Sequence, residues 1–297
     1  SRLGRYYTDD EENLSYKGPW SDFRYDFSRA TFFYPVYFQK KIVNSGIIFD
    51  GATFKDFATF NETIFTALAS FTDSVFEEVV DFEGTIFNEI SYFNRLIFVS
   101  TAHFAKSKFL DFSDFSGTVF AGDVRFDSVT FEKGTSFANS IFGSRSNFNS
   151  SIIKVSSNFS STKFTEFAEF RAIYFAGSAD FSSAIIRDSI DFSSSIFAES
   201  AKFAGMIFIG SVSFNSTVFV DEIPQFTTNS DNINEAVAHF SHANNPESYA
   251  FNVLPQSNNQ IETEQIIAPD GRVFTVPKGC LLFDPESQLV STLEEEE

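Results

Sequence analysis

The sequence predicts an all-β solenoid, a coiled stack of very short strands built around a column of phenylalanine rings. Two observations predict it. The 297 residues include 43 Phe but one Trp, one Met and one Cys, so one residue type supplies most of the apolar bulk. Phenylalanine also returns at alternating steps of five and six residues through most of the chain. One side chain repeated at one spacing indicates one repeated structural unit rather than an ordinary mixed core.

The repeat has a true period of eleven residues and runs from Phe27 to Phe219. It contains 36 positions, of which 33 are Phe and the other three are Val43, Ile153 and Ile186. The residue two before each Phe is usually small or β-branched, and two such residues lie on the same face of an extended chain. Polar, turn-tolerant residues separate the pairs. Each unit is therefore a short strand with two inward side chains and a corner, and the step leaves no apolar stripe for a helix.

Segments such as 115–126 and 170–181 resemble the pentapeptide-repeat family, whose units place a central Leu or Phe inward with a small residue two positions before it. The resemblance covers roughly residues 27–224. It implies a right-handed quadrilateral β-solenoid in which four units make one square coil. A coil here would take 22 residues, so residues 27–224 would form about nine coils. At about 4.8 Å between stacked strands, the rod would be about 40 Å long.

The residues before the repeat predict a cap. An open end would expose a layer of rings, and residues 1–26 contain the aromatic residues Tyr6, Tyr7, Tyr16 and Trp20. We therefore expect residues 1–26 to form an N-terminal cap with an aromatic plug.

The residues after the repeat predict a second cap and an appendage. Residues 225–246 predict a capping helix that Asp231 or Asn232 begins and Pro246 ends. Its helical spacing is carried by Ile233, Ala236, Val237 and Phe240. Residues 247–297 predict a hairpin turning at Asp270-Gly271, a further strand within residues 276–283, and an acidic tail.

Charge and hydropathy limit the classes of partner. The net charge is −19, made of +1 over residues 1–48 (seven basic, six acidic), −8 over residues 49–219 (12 basic, 20 acidic) and −12 over residues 220–297 (two basic, 14 acidic). This balance disfavours direct binding of nucleic acid through its phosphates. It is compatible with a basic partner or with plain solubility. No apolar run reaches the length of about 18 residues that predicts a membrane span.

The start of the chain leaves the compartment open. Its first residue is not Met, and residues 1–10 lack the apolar core of a signal peptide. The lack of a signal peptide favours the cytoplasm, but export stays open because the start of the chain looks trimmed and an export signal could have been removed there.

The residues that usually carry chemistry do not form a recognisable site. His239 and His242 could hold a metal only with a further ligand such as Glu235, and a polar helix face is the preferred interpretation. Cys280 stands in an apolar strand, which predicts a buried thiol. No carboxylate pair is placed for acid–base work, and no glycine-rich loop leads from a strand into a helix. The sequence therefore predicts no catalytic residue, no metal, no cofactor and no enzyme activity.

A row of outward residues is the first candidate site. In the five-residue steps the residue just before Phe is often β-branched, and the length of the coil would align these slots on two opposite faces. One row consists of Val75, Ile97, Val119 and Ile141. It is either a ladder that supports the stacked strands or a flat face for a partner.

An apolar edge is the second candidate site. The extra residue of the six-residue step is apolar early in the rod and mostly Ser later. The apolar members are Phe57, Leu68, Val79, Ile90, Phe112 and Phe167. Either the N-terminal segment seals these corners, which is the preferred interpretation, or they form an exposed binding edge.

These features favour a structural or protein-interaction module: a rigid rod that presents flat faces and a C-terminal element to a protein partner of unknown identity, or to a second copy as a homodimer. The alternative rests on the family resemblance alone, which implies a DNA-mimicking regulator or protector of a type II topoisomerase such as gyrase. A DNA mimic should be negative along its whole length. Here nine acidic residues face only Lys55 within residues 49–93, and residues 94–219 balance at 11 acidic and 11 basic.

Overall fold

The computed structural model describes residues 24–228, 236–255, 257–287 and 290–291. In this part of the chain, four sheets form the sides of a coil, and one two-stranded sheet stands apart from them. Each strand pairs in parallel with the equivalent strand of the next coil, as Val75 does with Ile97 and Phe76 with Phe98. The predicted all-β solenoid of about nine coils is confirmed.

We name the four sides faces A, B, C and D in chain order. Face A has nine strands: Tyr25–Asp26, Ile47–Ile48, Ala69–Ser70, Ser91–Tyr92, Ser113–Asp114, Thr135–Ser136, Ser157–Asn158, Ala179–Asp180 and Ala201–Lys202. Face B has nine in the coils: Thr31–Phe32, Thr53–Phe54, Val75–Phe76, Ile97–Phe98, Val119–Phe120, Ile141–Phe142, Lys163–Phe164, Ile185–Ile186 and Ile207–Phe208. Three more, His239–Ser241, Leu281–Phe283 and Val290–Ser291, extend face B past the last coil.

Faces C and D complete the coil. Face C has ten strands: Val36–Tyr37, Ala58–Thr59, Val80–Asp81, Ala102–His103, Val124–Arg125, Ser146–Asn147, Ala168–Glu169, Ser189–Asp191, Ser211–Ser213 and Tyr249–Ala250. Face D has nine: Ile42–Val43, Ile64–Phe65, Ile86–Phe87, Lys108–Phe109, Thr130–Phe131, Ile152–Ile153, Tyr174–Phe175, Ile196–Phe197 and Val218–Phe219.

The core is the predicted column of rings. Every register position from Phe49 to Phe219 is at most 1% exposed. Phe137 shows the common arrangement: its ring stacks on Phe115 at 4.8 Å and on Phe159 at 4.9 Å, in the coils on either side. It also meets Phe126 and Phe148 edge-on at 5.3 and 5.5 Å. Stacked and edge-to-face contacts are the two arrangements that aromatic rings prefer, so one side chain repeated in this way fills the rod.

The corners of the five-residue steps need a left-handed residue. Every eleventh residue from 29 to 216, eighteen in all, has a φ between +52° and +70°. Four of them are Gly, and none is β-branched, which is the class that this conformation disfavours most. Within residues 24–228, the six-residue corners turn without a residue of positive φ.

The small inward residues form a second hydrogen-bonding system. In the five-residue steps an inward Ser or Thr donates to the carbonyl of a Phe 25 residues earlier, as Ser140 Oγ does to Phe115 at 2.7 Å and Thr85 Oγ1 to Phe60 at 2.7 Å. Four buried hydroxyls have no partner within the described chain: Ser91, Ser107, Ser146 and Ser157. All but Ser107 stand in six-residue steps, so the two kinds of step provide different surroundings for the same side chain.

The predicted C-terminal capping helix is wrong over the residues that the structure describes. Asp231, Asn232 and Ile233 lie outside them, but Val237 forms a bridge with Thr227, and His239–Ser241 is a strand. That strand pairs in parallel with Ile207–Phe208, and His239 N donates to Met206 O at 2.8 Å. As a strand, this segment forms hydrogen bonds with the open edge of face B, and as a helix it would not form them. Strand alternation buries Ala238 and Phe240 completely, which a helix does not require.

Three aromatic rings continue the column into an irregular tenth layer. Phe226 stacks on Phe203 at 5.1 Å, Phe240 on Phe208 at 4.7 Å, and Phe251 on Phe214 at 6.0 Å. Each pair is separated by more chain than one coil contains, and by a different amount, so loops of unequal length separate the added strands. The solenoid thus ends in a layer of stacked aromatic rings that no longer follow the 22-residue spacing of the coils.

The predicted hairpin and following strand are confirmed. Thr263–Ile267 pairs antiparallel with Val273–Pro277, and the turn lies at Ala268–Arg272. Leu281–Phe283 pairs with His239–Ser241, and a 3-10 helix spans Pro246–Ser248. Arg272 ties the hairpin to the tenth layer, because its guanidinium donates to the carbonyls of Asn244 and His242 at 2.6 Å each. Of the predicted N-terminal cap, residues 1–26, residues 1–23 lie outside the described residues, and Tyr25–Asp26 is already the first strand of face A. The acidic tail, residues 294–297, also lies outside them.

Candidate interaction surfaces

The row predicted from the five-residue steps lies on the outside of face B. Val75, Ile97, Val119 and Ile141 are consecutive partners in the parallel ladder, so the structure brings all four together. Ile97 is 40% exposed and Ile141 is 36% exposed, while the other two are half-buried. The row therefore faces solvent and is not packed into the core.

A second column, which the sequence analysis missed, lies beside this row. Val99, Ala121 and Gly143 each follow the inward Phe of three consecutive coils, and Val99 is 50% exposed. The sequence pattern that predicted the row considered only the residue just before each Phe, whereas these three residues come just after it. Their spacing, which equals that of the row, was the signal that could have found them.

We call the two columns together the face B patch: Val75, Ile97, Val99, Val119, Ala121, Ile141 and Gly143. An ion pair between Lys55 and Glu77 borders the patch on one side, and Lys163 follows Ile141 on the other. The backbone beneath it is paired coil to coil, as Val99 N is to Phe76 O at 2.9 Å. The result is a flat apolar area two columns wide with charged ends.

Face D carries the opposite row, whose longest apolar run, from Ile152 to Val218, also has four members but lies nearer the C-terminal end of the solenoid. Its outward residues are Ile42, Ile64, Ile86, Lys108, Thr130, Ile152, Tyr174, Ile196 and Val218. Ile152, Tyr174 and Ile196 are 38–39% exposed. Because Lys108 and Thr130 interrupt this row in the middle of the rod, face B presents the longer unbroken apolar area there.

The six residues of the predicted apolar edge separate onto two corners. Phe57, Val79 and Phe167 lie between faces B and C, whereas Leu68, Ile90 and Phe112 lie between faces D and A. The reason is that the three Phe recur every two and a half coils, and a half coil moves a residue to the opposite corner. The structure therefore forms no single edge from them.

Each of the three Phe at these corners has its own neighbour. The guanidinium of Arg171 lies 5.6 Å from the ring centre of Phe167, and the ring of Tyr37 lies 6.4 Å from that of Phe57. The ring of Phe112 lies against Gly134 of the next coil, where an added Cβ would be 3.6 Å from it. Local contacts thus cover part of each ring.

Many surface charges are paired from coil to coil. Arg95 contacts Asp73 at 2.7 Å, Lys106 contacts Glu83 at 2.7 Å, and Lys154 contacts Glu132 at 2.8 Å. The hydrogen bond from Arg95 lowers the pKa of Asp73 below its ordinary value. Exposed pairs of this kind add little stability, but they neutralise part of the acidic surface.

Among the described residues, those considered for chemistry do not assemble into a site. His239 lies on a strand with its ring 6.2 Å from that of Phe283, and Glu235 lies outside the described residues. Within the described ranges no group of three His, Cys, Asp or Glu side chains is placed to hold a metal ion. Cys280 is buried, and this burial raises the pKa of its thiol to about 12, so the reactive thiolate is scarce at neutral pH.

Comparisons with known proteins leave the surface as the basis for a functional argument. No family model, curated protein or solved structure matches the chain. Across the described ranges, no helix is both long enough and apolar enough to cross a membrane.

Proposed function

We propose that the protein is a non-enzymatic scaffold that holds another protein against the face B patch. The observation that carries this proposal is a contiguous, solvent-facing apolar area on the outside of the solenoid. Single exposed apolar residues are ordinary on protein surfaces, but a contiguous patch with a charged border is typical of an interaction site.

The residues along face B indicate that its strands do not need the apolar patch in order to pair. The same outward slot holds Thr31, Thr53 and Lys163 in other coils, and those strands pair with the same register. Val99 and Ala121 follow the two-residue strands, so a preference for β-branched residues in strands does not account for them. A surface selected for binding explains both columns.

We also propose that the chain belongs to the pentapeptide-repeat family, with the right-handed coil that this family implies. The support is the four-sided coil, the central inward Phe, and the small inward residue two positions before it. Fold membership alone does not name a partner.

The surface charges count against the alternative function, a DNA-mimicking regulator or protector of a type II topoisomerase such as gyrase. Asp73, Glu83 and Glu132 are each paired with a cation from a neighbouring coil. A duplex mimic needs an unbroken negative surface, which paired and balanced charges weaken. We therefore favour a protein partner, or a second copy of this chain, on the face B patch.

Changing Ile97 and Val119 to Lys tests this function. Two charges in the middle of the patch should abolish docking while the protein stays folded, because Lys163 already occupies the same slot farther along the face. The matched control is Thr53→Lys with Ile185→Lys, which adds the same charges to the same column outside the patch.

Two measurements read the result. Sedimentation velocity reports self-association, and a pull-down with the full chain as bait reports partners. We expect the patch variant to lose assembly or the captured protein, the control to keep it, and both to melt within about 5 °C of wild type. If the patch variant stays folded and its assembly and binding are unaltered, the proposal is contradicted, and the row only supports the stacked strands.

A further inference from the structure

The first coil exposes aromatic side chains to an extent seen nowhere else in the described chain. Phe33 is 68% exposed, Tyr34 is 82% exposed and Tyr37 is 63% exposed, whereas Tyr174, the next of the exposed aromatic residues, reaches 39%. Phe33 and Tyr34 lie at the corner between the strands Thr31–Phe32 and Val36–Tyr37. Solvent-exposed Tyr and Phe grouped at one place are typical of binding surfaces.

Carboxylates lie beside these rings on the same corner. The register places residues 55–57 next to residues 33–35, and residues 77–79 one coil farther on. Asp56 and Glu78 therefore lie about 5 and 10 Å along the rod from Tyr34. Lys55 is paired with Glu77, but Asp56 and Glu78 make no ion pair with any described Lys or Arg. The Asp56 carboxylate accepts a hydrogen bond from Phe57 N at 2.7 Å, and Glu78 is exposed.

We propose that this amino-terminal corner, formed by Phe33, Tyr34, Tyr37, Asp56 and Glu78, binds a segment of another protein that carries Lys or Arg beside apolar side chains. Ring faces attract cations, and the neighbouring carboxylates pair with the same groups and steer them to the surface. The aromatic rings would also cover the apolar side chains of the segment. This site is separate from the face B patch and stands or falls independently of it.

The chain itself does not supply a complementary occupant. Residues 1–23 contain three basic and five acidic residues, a net charge of −2, and a second copy brings a net charge of −19. Residues 1–23 and a second copy are therefore both negative, as Asp56 and Glu78 are, and would be repelled by them. Charge complementarity therefore favours a basic partner.

Titration of the full chain with a dye-labelled eight-residue peptide of alternating arginine and leucine tests the proposal, with fluorescence anisotropy as the readout at 0.15 M salt. We expect saturable binding. Tyr34→Ala with Tyr37→Ala should weaken it at least tenfold without changing the net charge. Asp56→Asn with Glu78→Gln should also weaken it at least tenfold and reduce its salt dependence.

A matched control separates this corner from general attraction to an acidic protein. Glu166→Gln with Asp188→Asn removes the same two charges from the same corner column five coils farther on, where no exposed Tyr lies beside them. We expect less than a twofold change. Equal losses for the two acidic pairs, or unchanged binding after the Tyr substitutions, would overturn the proposal.

A second copy as the occupant would overturn it too. In that case wild type would self-associate in sedimentation velocity, and Tyr34→Ala with Tyr37→Ala would abolish the association. Failure of the full chain to bind the peptide at all would equally contradict the proposal.

Discussion

At the scale of single residues, the inward register is what the sequence predicts best. A Phe every five or six residues has only one face to occupy in a coil, and the rings from Phe49 to Phe219 all occupy it. The left-handed corners were not predictable in the same way. Gly117, Ser128, Asn139 and Ala172 all stand at such corners, so no single residue type marks them. The geometry of the five-residue step sets their conformation rather than a local preference for it.

We expect replacement of an inward Ser by Ala to change the stability differently in the two kinds of step. Ser140→Ala removes a hydrogen bond to Phe115 O and leaves that buried carbonyl with one acceptor site unused, so we expect a loss of about 1 kcal/mol. Ser146→Ala removes a buried hydroxyl that has no partner in the described chain, and other coils already hold Ala58 and Ala102 at this position. We expect unchanged or higher stability.

Urea unfolding of both variants measures the difference in the free energy of unfolding. The comparison is matched, because the two serines lie in consecutive steps of the rod and lose the same atom. Equal destabilisation by both substitutions would contradict the hydrogen-bond pattern described for the inward hydroxyls.

At the scale of elements, the repeat and the local turn residues predict the structure correctly, whereas a segment that pairs with a distant strand is predicted wrongly. The hairpin at Asp270-Gly271 was predictable because its turn residues are local. The segment with Ala236, Val237 and Phe240 matched a helical spacing, but the open edge of face B converts it into a strand. Local spacing could not reveal that edge, because the strand that provides it, Ile207–Phe208, is distant in the sequence.

The strand assignment changes what a substitution in this segment should cost. Phe240 is fully buried, stacks on Phe208 at 4.7 Å and lies beside Leu282 in the sheet. Phe240→Ala should therefore destabilise by about 3–5 kcal/mol, similar to Phe142→Ala in the same column of the rod. A loss below about 1 kcal/mol for Phe240→Ala, with the full loss for Phe142→Ala, would show that the tenth layer is not packed on the column.

At the scale of the whole molecule, the length of one coil organises both fold and surface. It places the Phe in a column, the outward apolar residues in the face B patch, and the six corner residues on two different corners. The sequence allowed the row of four to be predicted, because its period is the period of the core. It did not show which corners stay exposed, since exposure depends on what the neighbouring coils place beside each residue.

Removal of one coil tests this central claim most directly. A variant that lacks residues 119–140 loses one full coil and joins Thr118 to Ile141, which occupies the same slot as Val119. The new neighbours restore every inward ring and every strand pair, so we expect a cooperative thermal transition within about 5 °C of wild type. The control lacks residues 121–144, so Phe120 takes the place of Phe142 and no coil loses a ring. It leaves one coil two residues short at the corner between faces B and C, and we expect a large loss of stability.

Circular dichroism through thermal unfolding of the two variants gives the answer. The account predicts a wild-type β spectrum and a retained transition for the one-coil deletion, together with a clearly lower transition or its loss for the longer deletion. Equal melting of the two variants, or unfolding of the one-coil deletion alone, would contradict the coil length on which the fold and the surface both depend.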